Sequence, residues 1–300
     1  MANPSAPVSG EKGPITHVIF DMDGLLLDTE KFYTEVQEII LARYNKAFDW
    51  SLKAKMMGKK AIESAHIFVE ETGISDSLSA EDFLVEREAM LQNLFPTSDL
   101  MPGASRLIRH LHAKGIPIAV ATGSHKRHFG LKTQRHGELF SLMHHIVLGD
   151  DPEVKKGKPS PDVFLAAARR FEGGPVDPMK ILVFEDAPAG VLAAKTAGIY
   201  DTELIGSTWM STSAIIQPYQ RFFCPTFPFR VSLNLGQLGT PLFMYILPIH
   251  EHMLATWSAV MVPDPRLDSS HHETADQVLS SLLDFNPSYW GLPPFEGVES

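Results

Sequence analysis

Cysteine is almost absent from this 300-residue sequence, with Cys224 the one example. A lone cysteine excludes an intramolecular disulfide framework and a cysteine-based zinc site, and it predicts a reducing compartment. Cys224 lies in a proline- and phenylalanine-rich stretch without an evident partner, so it reads as inert. Long apolar runs are also lacking. The most apolar window, PLFMYILPI from Pro241, falls far short of the ~18–20 residues needed to span a bilayer, so no membrane partner is expected. Positive charge is in deficit, with 26 Lys and Arg against 36 Asp and Glu and a formal charge of −10. That balance gives no general electrostatic case for nucleic-acid binding. The opening residues, MANPSAPVSGEKG, contain no basic region followed by an apolar stretch. Residues 1–14 therefore read as a disordered tail, and the expected location is cytoplasmic. The sequence leaves the oligomeric state open.

What is present is a normal globular balance, 44% hydrophobic and 21% charged, ample for a large core and a smaller second unit. The organising stretch is Ile15–Thr29, ITHVIFDMDGLLLDT. Its apolar, β-branched run predicts a fully buried strand. The strand ends in Asp21 and Asp23, then Gly24. Two carboxylates at the end of a buried strand need a counter-charge or a shared proton. They read as a metal-assisted acid/base or nucleophile pair, although Asp-Met-Asp-Gly is also ordinary turn chemistry.

Helical periods follow at Glu30–Tyr44, Ala61–Thr72 and Ala80–Leu94, with no strand pattern between Asp28 and about Leu100. Residues 29–100 thus predict an all-helical insert. Strands and helices then alternate. Strands are expected at Ile116–Thr122, His145–Gly149, Ile181–Asp186 and Ala259–Val262. Helices are expected at Ser105–Lys114, Asp162–Phe171 and Ala187–Ala197, the last ended by Gly198, and an amphipathic closing helix at Glu273–Phe285. This alternation argues for a parallel sheet covered on both faces, an α/β doubly wound core from residues 15–28 plus 101–300. The one basic cluster, His125–Gly137 (HKRHFGLKTQRHG), reads as a solvated helix face.

Polar residues recur at the C-terminal ends of these strands: Asp21 and Asp23, Thr122, Asp150, and Glu185 with Asp186. Ligands bind outside the carboxyl ends of strands in open parallel sheets, so distant residues converge on one crevice. Thr122 and Gly123, in ATGS, offer a hydroxyl and backbone N–H groups suited to phosphate oxygens, or a cap for the next helix. Lys158, in GKPSPD, can neutralise a carboxylate and a phosphoryl group, or be a solvated loop lysine. Asp186, in FEDAPAG, is a natural oxygen ligand for Mg²⁺, or a helix cap.

Taken in order, DMDGLLLDT, ATGS, GKPSPD and FEDAPAG resemble the haloacid dehalogenase-like superfamily of phosphohydrolases. The resemblance covers Ile15–Gly198 and resumes near Val260. It implies a Rossmann-like sheet of order 5-4-1-2-3 with the helical insert as a cap domain. It also implies a small phosphorylated metabolite as partner, with pseudouridine 5′-phosphate the substrate, and Mg²⁺ as cofactor. Asp21 would be the nucleophile and Asp23 the acid and base. Thr122 and Lys158 would hold phosphoryl oxygens. Asp186, Asp21 and the Asp23 backbone would hold the metal, and Glu185 would support it. Lys59 and Lys60, after Gly58, would reach the substrate from the cap, or stand exposed at a helix start. Related sugar-phosphate mutases have His where this chain has Tyr33 and Arg where it has Ala61, which favours hydrolysis.

The pattern breaks at Ile199–Ser258, rich in proline, phenylalanine and hydroxyl residues and without a clear period. A connection this long inside a compact domain reads as an insertion. It leaves from the sheet end remote from the expected site, so the catalytic geometry survives it. The alternatives are a phosphatase of another sugar or nucleotide phosphate, or a chain catalytically impaired by the insertion and acting only as an interaction partner.

Overall fold

The computed structural model describes residues 14–56, 61–173, 176–207, 230–233, 242–245 and 257–296. Four short apolar runs form the centre of a parallel sheet: β1 (His17–Phe20), β2 (Ile118–Ala121), β3 (His145–Val147) and β4 (Ile181–Glu185). A separate antiparallel pair, β5 (Arg230–Leu233) and β6 (Leu242–Tyr245), precedes β7 (Ser258–Met261) and β8 (Gln277–Val278). The sheet order is β3-β2-β1-β4-β7-β8, every neighbouring pair parallel.

This is the expected doubly wound sheet, with one more edge strand than the order 5-4-1-2-3 supplies. The extra strand, β8, falls inside the stretch expected to be a closing helix. Val278, Leu279, Leu282 and Phe285 are spaced as on a helix, but Gln277 and Val278 pair with Val260 and Met261 instead. Short 3₁₀ turns follow at Leu282–Asp284 and Pro287–Trp290. An open sheet edge outcompeted a local period too short to decide between the two.

Strand pleating sorts the core. Val18, Phe20, Val120, Phe184 and Val260 face one side, where α5 (Ala104–Ala113) covers them with Leu107, Ile108 and Leu111. Ile19, Ala119, Val183 and Ala259 face the other, under α8 (Asp162–Arg169) and α9 (Pro188–Ser207). α9 runs through Gly198, where the sequence pattern predicted its end. A glycine inside a helix costs about 1 kcal/mol against alanine, which the surrounding turns absorb. Two short helices, α6 (Lys126–Lys132) and α7 (Gly137–Phe140), follow β2.

Between β1 and α5, α1 (Glu30–Ala42), α2 (Trp50–Met56), α3 (Ala61–Glu71) and α4 (Ala80–Leu94) pack around a core of their own. Phe68 and Phe83 stack in it at 4.1 Å. The chain leaves and re-enters the sheet unit side by side: Asp28 N–H donates to Asp99 O and Met101 N–H to Leu26 O, both at 2.9 Å. We propose that this helical unit, about residues 29–100, is a cap joined through that paired neck. Most of the stretch read as an insertion, the tail before Pro14, Lys59, Lys60 and Cys224 lie outside the described residues.

Candidate active site

β1 ends at Phe20, and the Asp21 N–H extends its ladder to Phe184 O at 2.9 Å. The chain then turns sharply through Gly24, whose φ is +77°. A Cβ at Gly24 would lie 2.3 Å from Asp186 Oδ2, so only glycine lets the loop lie against that carboxylate. The register of β1 against β4 thus sets Asp21 beside Glu185 and Asp186.

Oxygens of Asp21, Glu185 and Asp186 lie within 4.8 Å of one another. Lys158 donates to Asp21 Oδ1, to Glu185 Oε1 at 2.6 Å and to Ala121 O at 3.2 Å. Glu185 Oε2 accepts from the N–H groups of Asp186 (2.9 Å) and Ala187 (3.0 Å). One lysine therefore faces three carboxylates. Burial, resisted by Lys158 and reinforced by Glu185 and Asp23, raises the Asp21 carboxyl to about 7. Burial, then the charges of Glu185, Asp21 and Glu30, push Asp186 well above the usual carboxylate range. Such a surplus of buried negative charge is stabilised by a cation. The donors are all oxygens, which fits Mg²⁺. With both Glu185 oxygens engaged, Asp21 and Asp186 are the residues that would hold it, and Glu185 supports them.

The packing around Glu185 gives a direct prediction. A Cβ at Gly190 would lie 1.7 Å from Glu185 Oε1. Gly190→Ala is expected to destabilise the protein by about 1–3 kcal/mol in thermal or urea unfolding. Gly130→Ala, in α6 with nothing within 4 Å of the new Cβ, is expected to be neutral or to stabilise by about 0.5–1 kcal/mol.

Asp23 is held apart from that cluster. Its Oδ1 accepts from Thr29 Oγ1 (2.6 Å) and Lys132 Nζ (2.5 Å), and its Oδ2 from Ser124 Oγ (2.7 Å) and Thr122 Oγ1 (3.3 Å). Burial alone would raise this carboxyl, but the Lys132 charge and these hydrogen bonds bring it below its ordinary value. Lys132 has no exposed side-chain surface. It also donates to Ser124 Oγ (2.9 Å) and Tyr33 Oη (3.2 Å), and lies 4.5 Å from the centre of the Phe95 ring.

Lys132 corrects the reading of His125–Gly137 as a solvated face. α6 carries exposed Lys126 and Arg127 outward and Lys132 inward. No local signal in the sequence marks Lys132 as inward, since Phe129 and Leu131, two residues apart, lie on different sides of a helix. Asp150 is not at the reaction centre either: its carboxylate accepts from the Lys126 N–H at the start of α6. Thr122 is buried behind the site, accepting from Ser124 N–H at 3.0 Å, while Gly123 and Ser124 line the open space.

That space is a cavity of about 460 Å³. Asp21, Asp23, Lys158 and Asp186 line it on the sheet side, and Tyr33, Gln37, Met56 and Arg87 on the helical side. Its size suits a small metabolite. Among the described residues, no helix is long and apolar enough to cross a membrane.

The arrangement has known counterparts. A family model described as haloacid dehalogenase-like hydrolase matches residues 15–198. "(DL)-glycerol-3-phosphatase 2" of Arabidopsis thaliana is 62% identical over 296 residues, covering 99% of each chain. A Drosophila melanogaster protein named "Probable pseudouridine-5′-phosphatase" is 38% identical over 282 residues, covering 94% of this chain and 96% of that one. The crystal structure of a HAD family hydrolase from Deinococcus radiodurans R1, with bound phosphate and sodium, has the same fold. It superposes with a TM-score of 0.61 at 19% identity, covering 94% of this chain and 99% of that one.

Proposed function

The chain belongs to the haloacid dehalogenase-like hydrolase family, and on that premise we propose that it is a Mg²⁺-dependent phosphatase of small phosphorylated polyols. Glycerol 3-phosphate is the leading substrate, and an aspartyl-phosphate on Asp21 is the intermediate. The observation that carries this reading is the buried cluster of Asp21, Glu185 and Asp186 against the single Lys158. The 62%-identical Arabidopsis relative supports the choice of substrate over the pseudouridine 5′-phosphate that the motifs suggested. Pseudouridine 5′-phosphate is the second reading, favoured by the Drosophila relative.

In this reading an Asp21 oxygen attacks phosphorus, and the bond from phosphorus to the leaving alkoxide breaks. Asp23 gives the alkoxide a proton. It then takes one from the water that attacks the aspartyl-phosphate, which frees phosphate and restores Asp21. Lys132 leaves Asp23 anionic at rest, the form used in the second step. The proton for the first step enters on the substrate monoanion, whose second ionisation lies at about 6, and passes through Asp23 to the alkoxide, and the proton taken from water leaves Asp23 with the released phosphate. Lys158 favours the charged form of Asp21 against burial and faces the phosphoryl group, with Gly123 and Ser124 on the cavity wall beside it. Asp21 and Asp186 would hold Mg²⁺, which would supply the charge neutralisation that lets an anionic nucleophile approach an anionic phosphate. The helical unit closes over the site and reads the leaving group. Tyr33, which stands where the mutases have His, is engaged by Lys132 and serves packing rather than proton transfer. The single cysteine supports a cytoplasmic location.

Phosphate release from a panel of phosphomonoesters tests this. Glycerol 3-phosphate is expected to be turned over fastest, with activity lost in EDTA and restored by Mg²⁺. A higher kcat/KM for pseudouridine 5′-phosphate would transfer the assignment to the second reading. Release from no ester by a folded sample would overturn both and favour an impaired chain that acts as an interaction partner.

A further inference from the structure

Two polar side chains on the helical side of the cavity have unmet hydrogen-bonding capacity. Arg87 lines the cavity from α4, and its Nε is buried without a hydrogen-bond partner. Its guanidinium lies 5.5 Å from the Phe83 ring centre and 6.0 Å from that of Tyr33. These rings attract the cation but offer no lone pair to its N–H groups. Its neighbour Glu88 is committed elsewhere, accepting from His128 Nε2 at 2.8 Å and from Arg127 at 3.0 Å. Those bonds tie α4 to α6 and set the position from which Arg87 enters the cavity. Gln37 lines the same cavity from α1 and is 5% exposed. Its amide makes no hydrogen bond to another described residue.

The desolvation penalty of a buried unpartnered donor falls on Arg87 Nε, and the Gln37 amide lines the same cavity, where both side chains can pair with whatever it takes in. Charge decides what that is. Five carboxylates line the cavity (Asp21, Asp23, Glu30, Glu185, Asp186) against three fixed cations (Lys53, Arg87, Lys158). Mg²⁺ at Asp21 and Asp186 would balance these charges, but the phosphoryl group makes the filled site negative again, and a leaving group with a second negative charge would add to that. Neutral hydroxyls avoid it. Arg87 only donates, while the Gln37 amide both donates and accepts. A hydroxyl can accept from Arg87 and donate to Gln37 at once, and two adjacent hydroxyls use both side chains. Resting on the phosphatase reading above, we propose that Gln37 and Arg87 form the leaving-group subsite and select phosphomonoesters bearing a vicinal diol.

The test compares glycerol 3-phosphate with propyl phosphate, which lacks both hydroxyls, and with 3-phosphoglycerate, which carries a carboxylate. Wild-type protein is expected to favour the diol ester over propyl phosphate in kcat/KM by roughly tenfold to hundredfold, the value of a charge-assisted hydrogen bond to Arg87 with or without a weaker neutral one to Gln37. In folded Arg87→Met and Gln37→Leu proteins this ratio is expected to fall toward unity, through KM and kcat of the diol ester. A purely structural role would lower both esters together and leave the ratio unchanged, which overturns the proposal. A wild-type preference for 3-phosphoglycerate also overturns it, in favour of an anion subsite. Turnover of propyl phosphate without preference for the diol refutes this subsite and leaves the phosphatase reading standing. Turnover of no ester removes both.

Discussion

Asp21→Asn is expected to lower kcat/KM for glycerol 3-phosphate by about 10⁴-fold or more, while the protein stays folded. The magnitude is that of removing a covalent nucleophile from a group of residues acting as a unit. The amide that replaces the carboxylate is similar in shape but a poor nucleophile. Lys158 keeps its ion pair with Glu185 Oε1 at 2.6 Å and its bond to Ala121 O, so no buried cation is stranded. The variant is also expected to be more stable than wild type in metal-free buffer at neutral pH. Burial raises the folded-state carboxyl of Asp21 to about 7, from an ordinary value of 3.8. A carboxyl raised in this way favours the folded state most when protonated, and that contribution is lost as pH rises through the folded value. Asparagine removes the loss. Thermal unfolding in EDTA at acid and neutral pH checks the sign: the gain over wild type grows with pH. A variant that is both inactive and less stable at neutral pH would point to a structural role for Asp21.

Lys132→Met carries the largest expected cost to stability, about 3–5 kcal/mol, because it leaves the Asp23 carboxylate largely buried without its counter-charge. The loss depends on pH. In wild type Asp23 sits below its ordinary value, so its contribution is present above that value and disappears as pH falls through the folded one. Without Lys132, burial carries the carboxyl upward, and protonation relieves the variant as pH falls. The difference between the two proteins is therefore greatest near neutrality and narrows in acid. Asp23→Asn in the Lys132→Met background is expected to recover part of the stability, giving a coupling of about 1–3 kcal/mol in a double-mutant cycle. Additive losses would mean that the two side chains do not act as a pair.

The residues that the sequence pointed to and the structure brings into one crevice share a physical signature. Asp21, Lys158, Glu185 and Asp186 are charged groups next to apolar strands or turn residues, where a charge needs a reason. Strand ends of a parallel sheet converge whatever lies between them, so four separated motifs could be assembled without coordinates. The helical unit was equally visible, since Glu30–Ala42, Ala61–Glu71 and Ala80–Leu94 are long enough for a period to declare itself. Lys132 was not. It lies on a seven-residue helix among exposed basic residues, and nothing local separates one inward lysine from its neighbours. Thr29 and Ser124 reach Asp23 through hydroxyls, and nothing local in the sequence marks which group a hydroxyl will reach. Gln37 and Arg87 sit on helices whose periodicity is set by apolar neighbours, and their role depends on which partners they lack. Strand β8 escaped because its pairing is non-local and its two residues also suit a helix.

The central claim is that Asp21 carries the phosphoryl group during turnover. Acid-quenched reactions with glycerol 3-phosphate and Mg²⁺, digested and mapped by mass spectrometry, test it most directly. The account predicts a mass increase of one phosphoryl group on the peptide containing Asp21, absent from Asp21→Asn and discharged when the protein is left at neutral pH. A phosphoryl group on a different residue, or active turnover that labels none under rapid quench, would contradict it.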